Sequence, residues 1–251
     1  MTTPKAPETP MFDNRKIYRI CHQKQGLVPF NVTVKETNLN IQADSDLSEQ
    51  ALRAILTHRQ YIENHIARFP GFAHSLSPLS DPGIAPKIIS EMIKAAQIAG
   101  VGPMAAVAGA VAQGVGRDLL KWSSNVLVEN GGDIFIKSET QTIFTIYAGS
   151  SPLSMKTGIK MARRPESFAM CTSSGTVGHS KSFGKADAVT VLADCCALAD
   201  AAATSLGNKI QTPKDIEKAI AMGKNMPGVQ GIVIISGKQI GLWGAVELVK
   251  L

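Results

Sequence analysis

Aromatic side chains are scarce in this chain: Phe 8, Tyr 3 and Trp 2 make up 5% of 251 residues. That argues against the stacking platforms on which single-stranded nucleic acids are bound. Charge is sparse too, at 18%, and the net +6 is scattered, with Arg163-Arg164 the hint of a patch. A nucleic-acid partner is not indicated, whereas an anionic small molecule such as a phosphate ester suits the surplus. The four cysteines (Cys21, Cys171, Cys195, Cys196) form no C-x-x-C pair and no zinc-type spacing with histidine. Cys195 and Cys196 in a helix diverge by about 100°, which disfavours a mutual disulfide, so they are expected as small buried hydrophobes. No apolar run reaches about 18 residues, because glycines and a proline interrupt the richest stretch, 101–115. A membrane partner is therefore not expected. The opening M-T-T-P-K-A-P-E-T-P lacks the apolar segment of a secretory signal. It predicts a disordered tail over 1–12 and one domain over 13–251, in the cytoplasm.

Apolar periodicity sets out the elements. Residues 30–34 and 38–42 alternate strictly around Lys35-Glu36-Thr37, a hairpin signal and hence antiparallel sheet. Residues 16–23 read as another strand. Ser45-Asp46 opens a helix running to about Phe69, with Leu47, Ala51, Ile55, Tyr61, Ile62 and Ile66 on one side, and with His58 and His65 expected at its surface. Residues 69–86 form a long loop with four prolines, able to cover a cleft and carrying His74, before a helix over 84–99. Pro103 suits the first turn of the next helix. That helix is Ala/Gly-rich and nearly uncharged, so it should be buried, with Gly109 and Gly114 admitting a close neighbour. Strands are expected at 125–129, 134–136, 142–147, 158–162, 167–171, 188–193, 231–236, 239–243 and 245–249, with a helix over 213–224. Hairpin-connected strands with long helices predict an α+β fold of largely antiparallel sheets.

Three clusters carry the candidate chemistry. In 187–208 a short apolar strand leads to Asp194, placed as an N-cap, and to an alanine-rich helix that Gly207-Asn208 would end. Asp200 and Thr204 stand four residues apart on it, so both oxygens leave one face among alanines. A carboxylate beside a hydroxyl suits a hard cation such as magnesium; a solvated face or a local hydrogen bond has the same spacing. The second cluster is Asn130-Gly131-Gly132-Asp133 between two strands. Gly-Gly permits positive φ and leaves N–H groups for a ligand's oxygens, although a plain hairpin turn looks alike. The third, C-T-S-S-G-T-V-G-H-S at 171–180, offers several donors to a phosphate. It holds Ser and His but no G-x-S-x-G elbow, which argues against a Ser–His nucleophile.

Taken together, G-A-V-A-Q-G-V-G-R-D-L-L (109–120), N-V-L-V-E-N-G-G-D-I (125–134), T-S-S-G (172–175) and D-A-A-A-T (200–204) resemble the ApbE-type flavin transferases. That family shows a G-x-x-A-K-G-x-x-x-D helix, a Gly-Gly-Asp turn, a T-S-G segment and a D-A-L-A-T segment in this order. The chain as a whole is most similar to a shorter, uncharacterised branch of the ApbE-like superfamily. The resemblance implies an ApbE-like fold with magnesium on Asp200 and Thr204, helped by a backbone carbonyl near the 109–114 helix, holding the pyrophosphate of FAD or a related flavin nucleotide. It implies that FMN then passes to a hydroxyl of an acceptor protein. Gly131, Gly132 and Asp133 would shape the nucleotide cleft, and Thr172, Ser173, Ser174 and Gly175 would contact the flavin or its phosphates.

The chain departs from the pattern in two places. Gln113 stands where the family has lysine, which would remove a positive charge near the phosphates. The family's H-I-I-D-P-x-T-G segment is missing; residues 176–185 fill that space, with His179 the sole imidazole and so the candidate catalytic base. The expected function is a magnesium-dependent flavin or nucleotide transferase acting on a small phosphorylated cofactor. The alternatives are a non-catalytic binder of such a cofactor, or an assembly component with a vestigial site. A homodimer suits any of the three.

Overall fold

The strictly alternating segments form the expected hairpin. β1 (Val28–Val34) and β2 (Thr37–Ala43) pair antiparallel, with Phe30 opposite Ile41 and Val32 opposite Leu39. The computed structural model describes residues 24–81, 83–177 and 182–251, so the tail over 1–12, the strand over 16–23, Cys21 and His179 lie outside the described residues. After the hairpin come α1 (Ser48–Arg68), the one-turn α2 (Gly71–His74), α3 (Lys87–Ala99) and α4 (Val107–Leu119), the last entered through a 3-10 turn at Pro103–Ala106. Then follow β3 (Val126–Asn130), β4 (Asp133–Lys137), β5 (Thr142–Thr145), β6 (Thr157–Met161), β7 (Phe168–Ser173) and β8 (Ala188–Ala193). α5 (Cys196–Gly207), α6 (Ile216–Lys224), β9 (Val229–Ser236), β10 (Gln239–Gly244) and β11 (Glu247–Lys250) complete the chain. Among the described residues no single helix is long and apolar enough to cross a membrane.

The fold is α+β, and every strand pair is antiparallel. Eight strands form one sheet in the order β1-β2-β3-β4-β7-β8-β9-β10, and β11-β6-β5 form a second. The large sheet is covered on both faces. Val126, Val128, Phe135, Ala169, Cys171, Val189, Val191, Ile232 and Ile234 face a core shared with the helices. Their neighbours Leu127, Ile134, Ile136, Phe168, Met170, Leu192, Val233 and Ile235 face a second core built with Phe144, Ile159 and Met161 of the small sheet. Burial on both faces is why the central strands are continuous apolar runs, while the edge strand β1 alternates.

Several local expectations change in context. His58 and His65 are not free surface residues. The His58 ring fills the notch left by Gly114, where a Cβ would come within 2.8 Å of it, and its Nε2 lies 3.0 Å from Asp118 Oδ2. His65 packs edge-on against Phe72, its ring 4.7 Å away, and burial together with Arg68 lowers its pKa. The 69–86 segment is not loop throughout: α2 lies within it, and Ser75 backs onto Gly102 so closely that a Cβ there would be 1.8 Å from the Ser75 carbonyl oxygen.

Candidate functional site

α5 is almost wholly enclosed. Ten of its twelve residues are buried, and the two that are not are Asp200 and Thr204. The helix is alanine-rich because neighbours crowd it from the other directions: β7 and β8 beneath, α3, α4 and α6 alongside. Gly109 of α4 marks the tightest approach, since a Cβ there would fall 2.4 Å from the Cys196 carbonyl oxygen and 2.9 Å from Asp200 Cβ. The side chains at 200 and 204 thus occupy the one face of α5 that is only half-buried, with Asp200 turned against the first turn of α4.

The two helices cap one another. Asp200 Oδ2 accepts the Gly109 N–H at 2.9 Å, and the Ala108 N–H also bonds to this carboxylate, so Asp200 satisfies the first turn of α4. In return Gln113 of α4 accepts the Cys196 N–H at 2.7 Å, satisfying the first turn of α5. Asp194 does not make that cap as expected. α5 starts after Cys195 with no side-chain cap of its own, and the Asp194 carboxylate accepts from Gln230 Nε2 instead. Gln113 is 1% exposed, and its Nε2 donates to Glu91 Oε2 at 2.8 Å while Arg117 holds Glu91 Oε1 at 2.6 Å. Its amide is therefore spent on helix capping.

The Gly-Gly turn lies beside this face. Gly131 (φ 68°) and Gly132 (φ 110°) take the left-handed conformations that favour glycine, and Gly132 N–H donates to Glu129 Oε1 at 2.8 Å. Asn130 Nδ2 ties the turn to the Ala108 carbonyl at 3.0 Å. Asp133 follows at the start of β4, opposite Cys171, buried on the helix side of the sheet. Burial, the nearby Asp200 charge, Cys196 and Glu129 hold its carboxyl well above the usual carboxylate range, against a hydrogen bond from Cys171. Burial likewise pushes Asp200 up to about 7, against the lowering effect of the Gly109 and Ala108 N–H groups. Both neighbouring carboxyls are thereby pushed toward their neutral forms.

The 172–175 segment splits. Ser173 lies beside the end of α5, its Oγ 3.6 Å from where a Cβ of Gly207 would stand. Thr172 points to the other face of the sheet, its hydroxyl 2.9 Å from that of Thr190. Ser174 Oγ accepts the Thr176 and Val177 N–H groups at 3.1 and 3.0 Å, closing its own turn. Gly175 presses on Gly184, where a Cβ would meet a carbonyl oxygen at 2.1 Å. Asp133 thus lies near Asp200, and the Gly132 turn is bonded to Thr172, whose N–H donates to the Gly132 carbonyl at 3.1 Å, while Ser173 sits by the end of α5 and Gly175 against Gly184. Sequence reading did not show that Glu129 closes the turn or that Gln113 caps α5; a buried amide in an Ala/Gly-rich helix was the one available signal.

Among the described residues no three His, Cys, Asp or Glu side chains form a metal-holding group. The oxygens of Asp200 and Thr204 do suit magnesium, which commonly takes one or two protein oxygens and completes its shell with water and phosphate.

An eight-stranded antiparallel sheet, helices on one face, a small sheet on the other and an Asp/Thr helix beside a Gly-Gly turn define a protein of the ApbE-like class. A mutant form of the flavin transferase ApbE from Vibrio cholerae is similar, with a TM-score of 0.55 and 13% identity over 87% of this chain and 97% of that one. So is the ApbE protein of Thermotoga maritima, with a TM-score of 0.54 and 15% identity over 86% and 96%. At such identities the likeness is one of fold. Residues 19–240 match the family described as AbpE bacteria, and the chain belongs to that family. Relatives include UPF0280 proteins of Methanococcus aeolicus, 39% identical over 226 residues (87% of this chain, 91% of that one), and of Methanosarcina acetivorans, 39% identical over 216 residues (85% of each).

Proposed function

We propose that this protein binds a flavin nucleotide such as FAD across the half-buried face of α5 and acts as a magnesium-dependent transferase on its pyrophosphate. One observation carries the reading: Asp200 and Thr204 alone break the burial of α5, and Asp200 does so near Asp133, which follows the Gly131-Gly132 turn. Asp200 and Thr204 would hold magnesium, which when bound would neutralise pyrophosphate charge and stabilise the leaving phosphate. Gly131 and Gly132 let the backbone approach the nucleotide closely. Ser173, beside the end of α5, would offer its hydroxyl to a phosphate or the flavin. In the transfer, the P–O–P bond of FAD breaks, AMP leaves, and FMN is esterified to an acceptor hydroxyl whose proton passes to a base; His179 is the candidate for that base. Fold neighbours of this chain are flavin transferases, which supports this chemistry.

A second reading, binding without transfer, is favoured by Gln113: the position that is lysine in the resembling pattern is a buried neutral amide spent on capping. Both readings are tested by melting the protein with FAD, with and without magnesium. A ligand that binds the native state raises the midpoint by mass action. Asp200→Asn keeps an oxygen for the Gly109 N–H and loses the charge, so it should fold and lose the magnesium-dependent shift. Release of AMP in the presence of an acceptor separates transfer from binding. No shift of the unaltered protein with FAD, FMN or ADP would refute both readings.

A further inference from the structure

The half-buried stripe of α5 does not stop at Thr204. Asn208, four residues on, remains on the same face as the helix closes, its N–H bonded to the Thr204 carbonyl at 3.0 Å. Asp200, Thr204 and Asn208 are spaced i, i+4 and i+8, placing Asn208 about 12 Å along the axis from Asp200. The Asn208 side chain grips another segment: its Oδ1 accepts the Phe183 N–H at 2.8 Å. Gln211 Nε2 donates to the Phe183 carbonyl at 2.8 Å, so both main-chain groups of Phe183 are held. On the next residue, Gly184, a Cβ would stand 1.8 Å from the Gly207 carbonyl oxygen, and Lys185 N–H bonds to the Ile210 carbonyl at 2.7 Å. Yet Phe183 is 62% exposed, more than any other Phe, Tyr or Trp among the described residues. A backbone fixed on both sides and a phenyl ring left in water form a preorganised apolar platform at the far end of the Asp200–Thr204–Asn208 stripe.

We propose that Phe183 is the stacking residue for one of the two planar ring systems of the bound nucleotide. This rests on the function proposed above and adds the determinant of ring recognition. The rise of about 12 Å from Asp200 to Asn208, which holds Phe183, is of the order by which a ring lies from the pyrophosphate in an extended dinucleotide, and neither ring needs a charged partner to stack on a phenyl face. The two ring sources, isoalloxazine and adenine, are separated by the probes.

Equilibrium binding of FAD, FMN and ADP, each with magnesium, is measured for the unaltered protein and for Phe183→Ala, Phe183→Leu and Phe183→Trp. Phe183→Ala should weaken FAD about tenfold, as loss of an aromatic stack does. Phe183→Leu, which keeps apolar bulk without a π face, should weaken it equally, and Phe183→Trp should restore it. A parallel loss for FMN assigns the flavin ring, and Phe183→Trp should then also quench flavin fluorescence; a parallel loss for ADP assigns adenine. FAD affinity unchanged in Phe183→Ala, or fully retained in Phe183→Leu, overturns the inference while leaving an Asp200-dependent site standing. No nucleotide binding by the unaltered protein overturns both.

Discussion

Gly109 shows how closely this site depends on a missing side chain. A Cβ would press on the Cys196 carbonyl and on Asp200 Cβ at once, and backbone cannot yield as a flexible side chain does. Gly109→Ala should cost about 1–3 kcal/mol, read by urea denaturation, and should weaken magnesium-dependent nucleotide binding because α5 is displaced. Asp44 makes a different kind of residue-scale contribution. It receives Ser123 Oγ at 2.9 Å, the Ser124 and Asn125 N–H groups at 2.8 and 3.1 Å, and Asn125 Nδ2 at 3.0 Å, clamping the start of α1 to the approach of β3. Partial burial would raise its carboxyl, but bonds from Asn125, Ser123 and Ser124 outweigh that and hold it below the usual range. The folded value lies under the unfolded one of about 3.9, so its stabilisation is present above that pH and lost as the pH falls through the folded value. Asp44→Asn should flatten this part of the acid limb when stability is measured between about pH 6 and 3.

At the scale of elements, α4 and α5 complete one another: Asp200 caps α4 and Gln113 caps α5. Removing the second cap strands a buried N–H and takes a donor from Glu91. Gln113→Met, which fills the space without an acceptor, should therefore cost about 1–3 kcal/mol in urea melts. Nucleotide binding should fall along with stability, because the helix that carries Asp200 and Thr204 loses its anchor. The elements themselves were largely legible. The helix expected from 84 begins at Lys87, that over 213–224 resolves into a 3-10 turn and α6, and the 188–193 strand falls as read. The caps were not legible, because α5 is capped by a residue 83 positions away rather than by the adjacent Asp194.

Across the whole molecule, two cores share the strands of one large sheet, with adjacent residues of β8 serving opposite layers. Neither core can be lost without unpairing strands that the other needs, so we expect one cooperative unfolding transition. Trp122 follows α4 and Trp243 lies on β10, so each can report alone. Trp122→Phe and Trp243→Phe variants should give coincident fluorescence midpoints once each is corrected for its own stability by circular dichroism; a persistent gap would indicate separable units.

Local periodicity was enough to place most helices and strands among the described residues and to put Asp200 and Thr204 on one face, because periodicity is a property of neighbouring residues. The sequence by itself also carried the Gly131-Gly132 turn, since positive φ is written in residue type. Tertiary structure decided the rest: that Asp133 sits beside Asp200, that Thr172 turns to the far side of the sheet, and that Gln113 caps a distant helix. Those outcomes depend on register and on which surfaces meet, and neither is encoded in any short stretch of residues.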